Sequence, residues 1–181
     1  MIRIISGSRK GRKITAPSSL PVRPTTDFAK EGLFNVLVNK IDFEEVKLLD
    51  LFAGTGNISY EFASRGCKNV TCVDTDSRCL KFIMETSIML EFPKFKTIRS
   101  DAFKFINSAK GKWDVIFVDP PYEQVETTGT IPKLIFDAGM LEPGGLLIIE
   151  HPERIYFTDT TYMLETRKYG KVNFSFFVMP E

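Results

Sequence analysis

The run Trp113-Asp114-Val115-Ile116-Phe117-Val118, closed by Asp119-Pro120-Pro121-Tyr122, constrains this 181-residue chain more than any other stretch. Six residues rich in β-branched and aromatic side chains describe a buried strand. Two prolines then stop it, because neither can donate to a sheet ladder and each fixes its own φ. A carboxylate, Asp119, is thereby held on a stiff turn at the end of a strand. Strand and helix patterns alternate five times along the chain and two strands close it, which implies an α/β fold around a mostly parallel sheet. In such open sheets the carboxyl ends of the strands are where ligands bind.

The patterns predict strands over 2–5, 12–14, 46–52, 69–73, 96–99, 113–118, 146–150, 161–167 and 172–178. Helices are predicted over 27–38, 57–65, 77–91, 102–108 and 131–138. Thr26 or Thr25 is placed to cap the first helix, with Phe28, Leu33, Phe34, Val36 and Leu37 as its apolar stripe. In the third helix Leu80, Ile83, Met84, Ile88 and Met89 are expected to face inward. Pro143-Gly144-Gly145 reads as a turn before the strand over 146–150, and Tyr169-Gly170-Lys171 as the bend of a terminal antiparallel hairpin.

Two regions emerge, an arm over 1–26 and a main domain over 27–181. The arm reads as a basic β-hairpin followed by a segment spaced by Pro17, Pro21 and Pro24. It has too little apolar surface to fold alone, so it must lean on the domain or on a ligand. Arg3, Arg9, Lys10, Arg12, Lys13 and Arg23 give it six bases and no acid, leaving 18 bases against 23 acids in the rest. A basic arm on an acidic body suggests a polyanion met at one end. No apolar stretch approaches the roughly eighteen residues that span a bilayer, and residues 1–7 lack the apolar core of a signal peptide. Cys67, Cys72 and Cys79 have no paired spacing and read as buried, reduced thiols of a cytoplasmic protein. No residues are assigned to a metal.

The segment Leu48-Leu49-Asp50-Leu51-Phe52-Ala53-Gly54-Thr55-Gly56-Asn57 is a strand, a glycine turn and a helix start. That geometry brings backbone N–H groups close to a ligand. The dinucleotide fingerprint wants a third glycine where Ser59 stands. Asp50 would repel a pyrophosphate and suits an ammonium group. Asp74 ends the next strand and is placed to accept from ribose hydroxyls. Asp101 ends the one after and can accept from an adenine amine, with Ala102 and Phe103 beside the ring. A nucleoside carrying an amino acid and no phosphate fits these acids, so S-adenosylmethionine fits and NAD fits poorly.

The loop resembles the cofactor motif of class I S-adenosylmethionine-dependent methyltransferases, and Asp119-Pro120-Pro121-Tyr122 resembles the motif of enzymes that methylate exocyclic or amide nitrogens. Nearly the whole chain resembles the bacterial 16S rRNA guanine-N2 methyltransferases of the RsmD type. The matching pieces include Ile4-Ile5-Ser6-Gly7, Lys10-Gly11-Arg12-Lys13, Arg23-Pro24-Thr25, Leu33-Phe34-Asn35, Ser64-Arg65-Gly66, Glu150-His151 and Lys168-Tyr169-Gly170-Lys171. It departs from that pattern at Lys30-Glu31-Gly32, where the family usually has an arginine, and at Asp74, often glutamate.

The resemblance implies a seven-stranded Rossmann-like sheet. It implies cofactor contacts from Asp50, Phe52, Ala53, Gly54, Thr55, Gly56, Asp74, Asp101, Ala102 and Asp119, and catalysis by Asp119, Pro120, Pro121 and Tyr122. It implies RNA contacts from Arg9, Lys10, Arg12, Lys13, Arg23 and Thr25, on a 16S rRNA substrate in the small subunit or an assembly intermediate, by a monomer. Such a site must align a delocalised amine with the methyl carbon, and alignment of this kind is worth ~7–11 kcal/mol. Asp119 and the Pro120 carbonyl would each accept an N–H, Tyr122 would stack on the base, and the base must be unpaired or flipped out. Methylation of DNA adenine N6 or protein glutamine is the nearest rival. His151, the single histidine, reads as a packing or capping residue sooner than a base, and Phe174, Phe176 and Phe177 as core.

Overall fold

The computed structural model describes residues 1–20, 25–93, 95–121 and 125–181. Alternation of apolar residues builds one seven-stranded sheet from β3 (Lys47–Leu51), β4 (Asn69–Asp74), β5 (Lys96–Arg99), β6 (Trp113–Val118), β7 (Leu141–His151), β8 (Met163–Tyr169) and β9 (Val172–Val178). Its order is β5-β4-β3-β6-β7-β9-β8. β3 pairs in parallel with β4 and β6, β4 with β5, and β6 with β7. β9 slots antiparallel between β7 and β8, so the terminal hairpin contributes a single reversed strand and its first strand forms the edge.

The period of two divides the sheet into two faces. Leu48, Val115, Phe117, Leu146, Ile148, Phe174 and Phe176 face α1 (Asp27–Leu37), α2 (Asn57–Ser64) and α3 (Ser77–Met89). Leu49, Leu51, Ile116, Val118, Leu147, Ile149 and Phe177 face α4 (Ala102–Ser108) and α6 (Ile131–Asp137). Each fully buried Leu, Ile or Phe contributes about 1.5–3 kcal/mol. Phe174, Phe176 and Phe177 lie in this core as expected, and all three cysteines are free and buried.

The basic hairpin pairs β1 (Ile2–Arg3) with β2 (Lys13–Ile14). It leans on the domain: Ile2, Ile4 and Ile14 join the core of the α1–α3 face. The α2 carboxylate Glu61 accepts from Ile5 N at 2.8 Å and Ser6 N at 3.0 Å. Gly7, at φ +81°, lets the turn pass over the last turn of α2, where Ser8 N meets Ser64 O at 2.6 Å.

Three expectations shift. Thr26 does cap α1, accepting from Ala29 N, but Phe28 is 65% exposed and stands edge-on to Tyr169. In α3 the inner side is Cys79, Leu80, Ile83, Thr86 and Ser87, while Met84, Ile88 and Met89 are exposed. At about 100° per residue those three lie roughly 100–140° round the helix from Ile83, the middle of the buried stripe, and Ser87 is tolerated inside because its hydroxyl bonds Met84 O at 2.8 Å. Pro143-Gly144 is not a turn between elements but lies in β7 as a bulge: Trp113 pairs with Leu141 and Val115 with Leu146. One further helical turn, α5 (Val125–Thr128), was not foreseen. Among the described residues no helix is long and apolar enough to cross a membrane.

Candidate active site

The chain leaves β3 toward β4 yet reaches β6, on the other flank of β3, only after β5. That reversal opens a crevice above the carboxyl ends of β3 and β6. Leu51 and Val118 are in register, and Asp119 N reaches Leu51 O at 3.4 Å. The Asp119 corner and the bend over Phe52-Ala53-Gly54-Thr55-Gly56 therefore stand side by side on one rim.

The bend has unusual backbone. Phe52 (φ 64°), Gly54 (φ 52°) and Gly56 (φ 78°) are all left-handed. For Phe52 this conformation costs of order 1–3 kcal/mol, and it persists only where the surroundings enforce it. Ala53 N on Val73 O (3.0 Å) and Gly56 N on Ala53 O (2.8 Å) hold the bend, and Thr55 is buried within it. The Phe52 ring stands edge-on to Phe103, 6.4 Å between centroids.

Asp74 organises this bend. One oxygen accepts Gly54 N at 2.8 Å and the other Asp76 N at 2.9 Å. Asp76, two residues on, caps α3. Asp101 caps α4, accepting Lys104 N at 3.0 Å, with Ala102 buried behind it. Asp50 lies beneath the bend at 2% exposure, and its carboxylate accepts the Ser59 hydroxyl at 2.6 Å. Ser59, which the sequence showed only as a missing glycine, thus supplies that acid's hydrogen bond.

Asp50, Asp74, Asp119 and Glu150 share the sheet face beneath α1–α3, one acid on each of four neighbouring strands or its end. Burial pushes the Asp50 carboxyl up to about 7, against the pull of the Ser59 hydroxyl, and the Asp74 charge adds to the rise. Burial first, then the charges of Glu150 and Asp50, hold half-buried Asp119 well above the usual carboxylate range. Burial lifts Glu150 to about 7, opposed by the Thr25 hydroxyl that bonds its Oε2 at 2.7 Å. Pro120 is buried and Pro121 exposed.

Behind this row runs a polar chain that the sequence reading did not single out. Asn57 Nδ2 donates to Thr25 O at 3.1 Å, and Asn57 Oδ1 accepts from Lys30 Nζ at 2.8 Å. Lys30 Nζ also donates to Arg3 O at 2.6 Å and lies 3.7 Å from Glu61, both side chains being fully buried. Burial lowers the Lys30 ammonium, against the raising effect of Glu61. A lysine in the apolar stripe of α1, three residues after Asp27, was the available signal; for Glu150 it was one more strand-end acid beside the tetrad.

Of the bases expected to meet RNA, Arg9 is held by Leu90 O at 2.6 Å and Glu91 at 2.8 Å. Lys10, Arg12 and Lys13 are exposed and have no side-chain partner among the described residues. Thr25 turns inward to Glu150. Arg23 and Tyr122 lie outside the described residues. His151 is buried, its ring between Ser175 Oγ at 2.7 Å and Pro152 O at 2.8 Å, and burial lowers its pKa. Among the described residues no group of side chains could hold a metal.

The residues fit a nucleoside with a cationic amino-acid tail. The rim presents the backbone of a left-handed bend and a row of carboxylates, which accept hydrogen bonds and attract positive charge. Its buried cation, Lys30, is engaged behind the row. A pyrophosphate would face acids on every side.

A protein-family model described as conserved hypothetical protein 95 matches residues 2–178. The chain is 34% identical to a putative rRNA methyltransferase, YlbH, of Bacillus subtilis over 172 residues, 92% of each protein. It is 33% identical to the ribosomal RNA small subunit methyltransferase D of Escherichia coli over 149 residues, 82% of this chain and 74% of that one. A solved structure of a putative methyltransferase, yhhF, from Escherichia coli superposes with a TM-score of 0.83 at 27% identity, covering 99% of this chain and 98% of that one.

Proposed function

The chain belongs to the RsmD family of methyltransferases, and on that premise we propose that it methylates the exocyclic N2 amine of a guanine in 16S ribosomal RNA, with S-adenosylmethionine as donor. The observation that carries the reading is the shared rim: the Asp119 corner is bonded to the end of β3, beside the glycine bend. The names of the relatives support ribosomal RNA as the substrate class. The three exposed bases of the hairpin support a polyanion. The protein would act as a monomer in the cytoplasm, on the small subunit or an assembly intermediate.

When bound, the donor supplies an already activated methyl carbon. Asp74 would accept from the ribose hydroxyls while holding Gly54 N, and Asp101 and Ala102 would border the adenine. Asp50, beneath the bend, would bias the site toward the ammonium end. Asp119 and the Pro120 carbonyl would each accept one N–H of the guanine amine. Its lone pair, delocalised into the ring, is thereby turned out of the plane toward the methyl carbon. Tyr122 would stack on the flipped base, and Lys10, Arg12, Lys13 and Arg23 would hold the phosphates.

Incubation with isotope-labelled donor and small-subunit RNA, DNA or protein tests this directly. N2-methylguanosine is the expected product after digestion and mass analysis. Label in N6-methyladenine of DNA or in protein glutamine, with none in RNA, would overturn it.

A further inference from the structure

Glu150 completes the row of acids, yet no step above uses it. It is the penultimate residue of β7 and 3% exposed. Val118 and Ile149 are in register across the parallel β6 and β7, so Asp119 and Glu150 occupy the next positions side by side. Alternation turns both toward the face covered by α1 and α2. Among the described residues the Glu150 side chain has one hydrogen-bond partner, the neutral Thr25 hydroxyl. Asp119 faces it from the end of β6, and Asp50 on β3 lies beyond Asp119. Lys30 on α1 and Glu61 on α2 connect to it only through Asn57 and Thr25. His151 points to the other face, bonded to Ser175 on β9.

Two adjacent carboxyls, Glu150 buried and Asp119 half-buried, with no cation on either among the described residues are costly to keep for packing alone, since apolar residues of similar volume would serve the core better. Resting on the methyl-transfer reading, we propose that Glu150 is a positioning residue that acts through Asp119, keeping that carboxylate basic enough to draw the amine hydrogen and take the proton. As the nitrogen lone pair forms its bond to the methyl carbon, the bond to the leaving group breaks with both electrons on the leaving group. The nitrogen then yields an N–H proton to Asp119, recovering its lone pair. A like charge beside Asp119 raises its proton affinity. The Thr25 hydroxyl occupies one oxygen of Glu150 and ties the setting of this pair to the end of the basic arm.

The test is a carboxyl carbon-13 NMR titration of the donor-free, RNA-free protein, paired with the pH profile of kcat/KM on small-subunit RNA. In the wild type the Asp119 and Glu150 signals are expected to respond to each other's titration. In Glu150→Gln the Asp119 midpoint and the acid limb of kcat/KM should both fall by roughly 1–3 pH units, and Glu150→Asp should restore much of the difference. A structural role alone would lower Tm and leave the Asp119 midpoint in place. A folded Glu150→Gln whose Asp119 titrates as in the wild type overturns the proposal. Should that variant fail to fold, Thr25→Val carries the test: its Glu150 midpoint should rise and the Asp119 response move with it, and independent signals overturn the proposal. No transfer to RNA by the wild type would instead remove the methyl-transfer reading, a failure the titration alone does not produce.

Discussion

At the scale of single residues, the row of acids sets the chemistry and makes stability depend on pH. Asp119→Asn keeps the shape of the corner and removes its charge. It is expected to lower kcat by at least about a hundredfold, the scale seen when one transition-state contact is lost, while calorimetric affinity for the donor stays within a few-fold; undiminished turnover would end its catalytic role. Asp50 bears on folding. Unfolding returns its carboxyl from about 7 toward 3.8, so between those values the folded chain keeps a proton that the unfolded chain releases. Its contribution is full below about 3.8 and is lost as pH rises through 7. His151, whose value is lowered, works the other way below 6.5, so the informative quantity is a difference between proteins. Relative to the wild type, Asp50→Asn should gain stability between pH 5 and 8 by up to about 3 kcal/mol, read from urea unfolding at each pH. Parallel curves would show that Asp50 does not titrate in that window. Asp74 and Asp119 were legible in the sequence because each closes a strand, and Asp50 because it stands just ahead of the glycine loop. Lys30 and Glu61 were not, because both types are usually exposed, although Lys30 falls within the apolar stripe of α1.

At the scale of elements, β6 was legible to the residue because Trp113 opens an apolar run and Pro120 closes it, two signals that agree. The inner side of α3 was misread because the sulfur-bearing and branched residues Met84, Ile88 and Met89 outweighed Thr86 and Ser87, and side-chain chemistry alone does not reveal a helix's rotation about its axis. The short spans of β1 and β2 follow from the turn between them, where Gly11 N returns to Ile4 O at 2.8 Å. This hairpin docks on α2 through Gly7, where an added Cβ would lie 1.8 Å from Ser64 O, backbone that a flexible side chain could not relieve. Gly7 also needs φ +81°, a region other residues enter at a cost. Gly7→Ala should therefore loosen the hairpin from α2, costing about 1–3 kcal/mol. Amide exchange would show Ile5 and Ser6, whose N–H groups now reach Glu61, losing protection before the strands of the sheet do. Equal loss in both places would mean that hairpin and sheet unfold as one unit.

At the scale of the whole molecule, the charge asymmetry between residues 1–26 and the rest was plain in composition, but the number of bases left for a partner was not. The six bases would give a salt-dependence slope of roughly −4 on single-stranded RNA if all engaged phosphate. The fold spends two of them internally. Arg3 bonds Asp27 at 2.8 Å and Glu31 at 3.0 Å, and Arg9 is held by Glu91 and Leu90 O. These pairs draw the acidic first turns of α1 and the end of α3 against the arm, so part of its charge serves docking and not recruitment. Lys10, Arg12 and Lys13 remain exposed around the hairpin tip, close in sequence and able to follow one phosphate backbone. Three such contacts predict a slope of log K against log[salt] of roughly −2, deepened by about 0.7 if Arg23 also engages. Replacing Lys10, Arg12 and Lys13 together by glutamine should flatten the slope toward zero and leave donor affinity unchanged, because the glycine bend is built from β3, β4 and α2. Replacing Arg3 and Arg9 instead should leave the slope near that of the wild type and lower the unfolding midpoint. A slope near −4 in the wild type that falls to roughly −3 in the Arg3 and Arg9 variant would mean that the arm leaves its acidic partners when it meets RNA, and the docked hairpin would then be the resting form of a clamp.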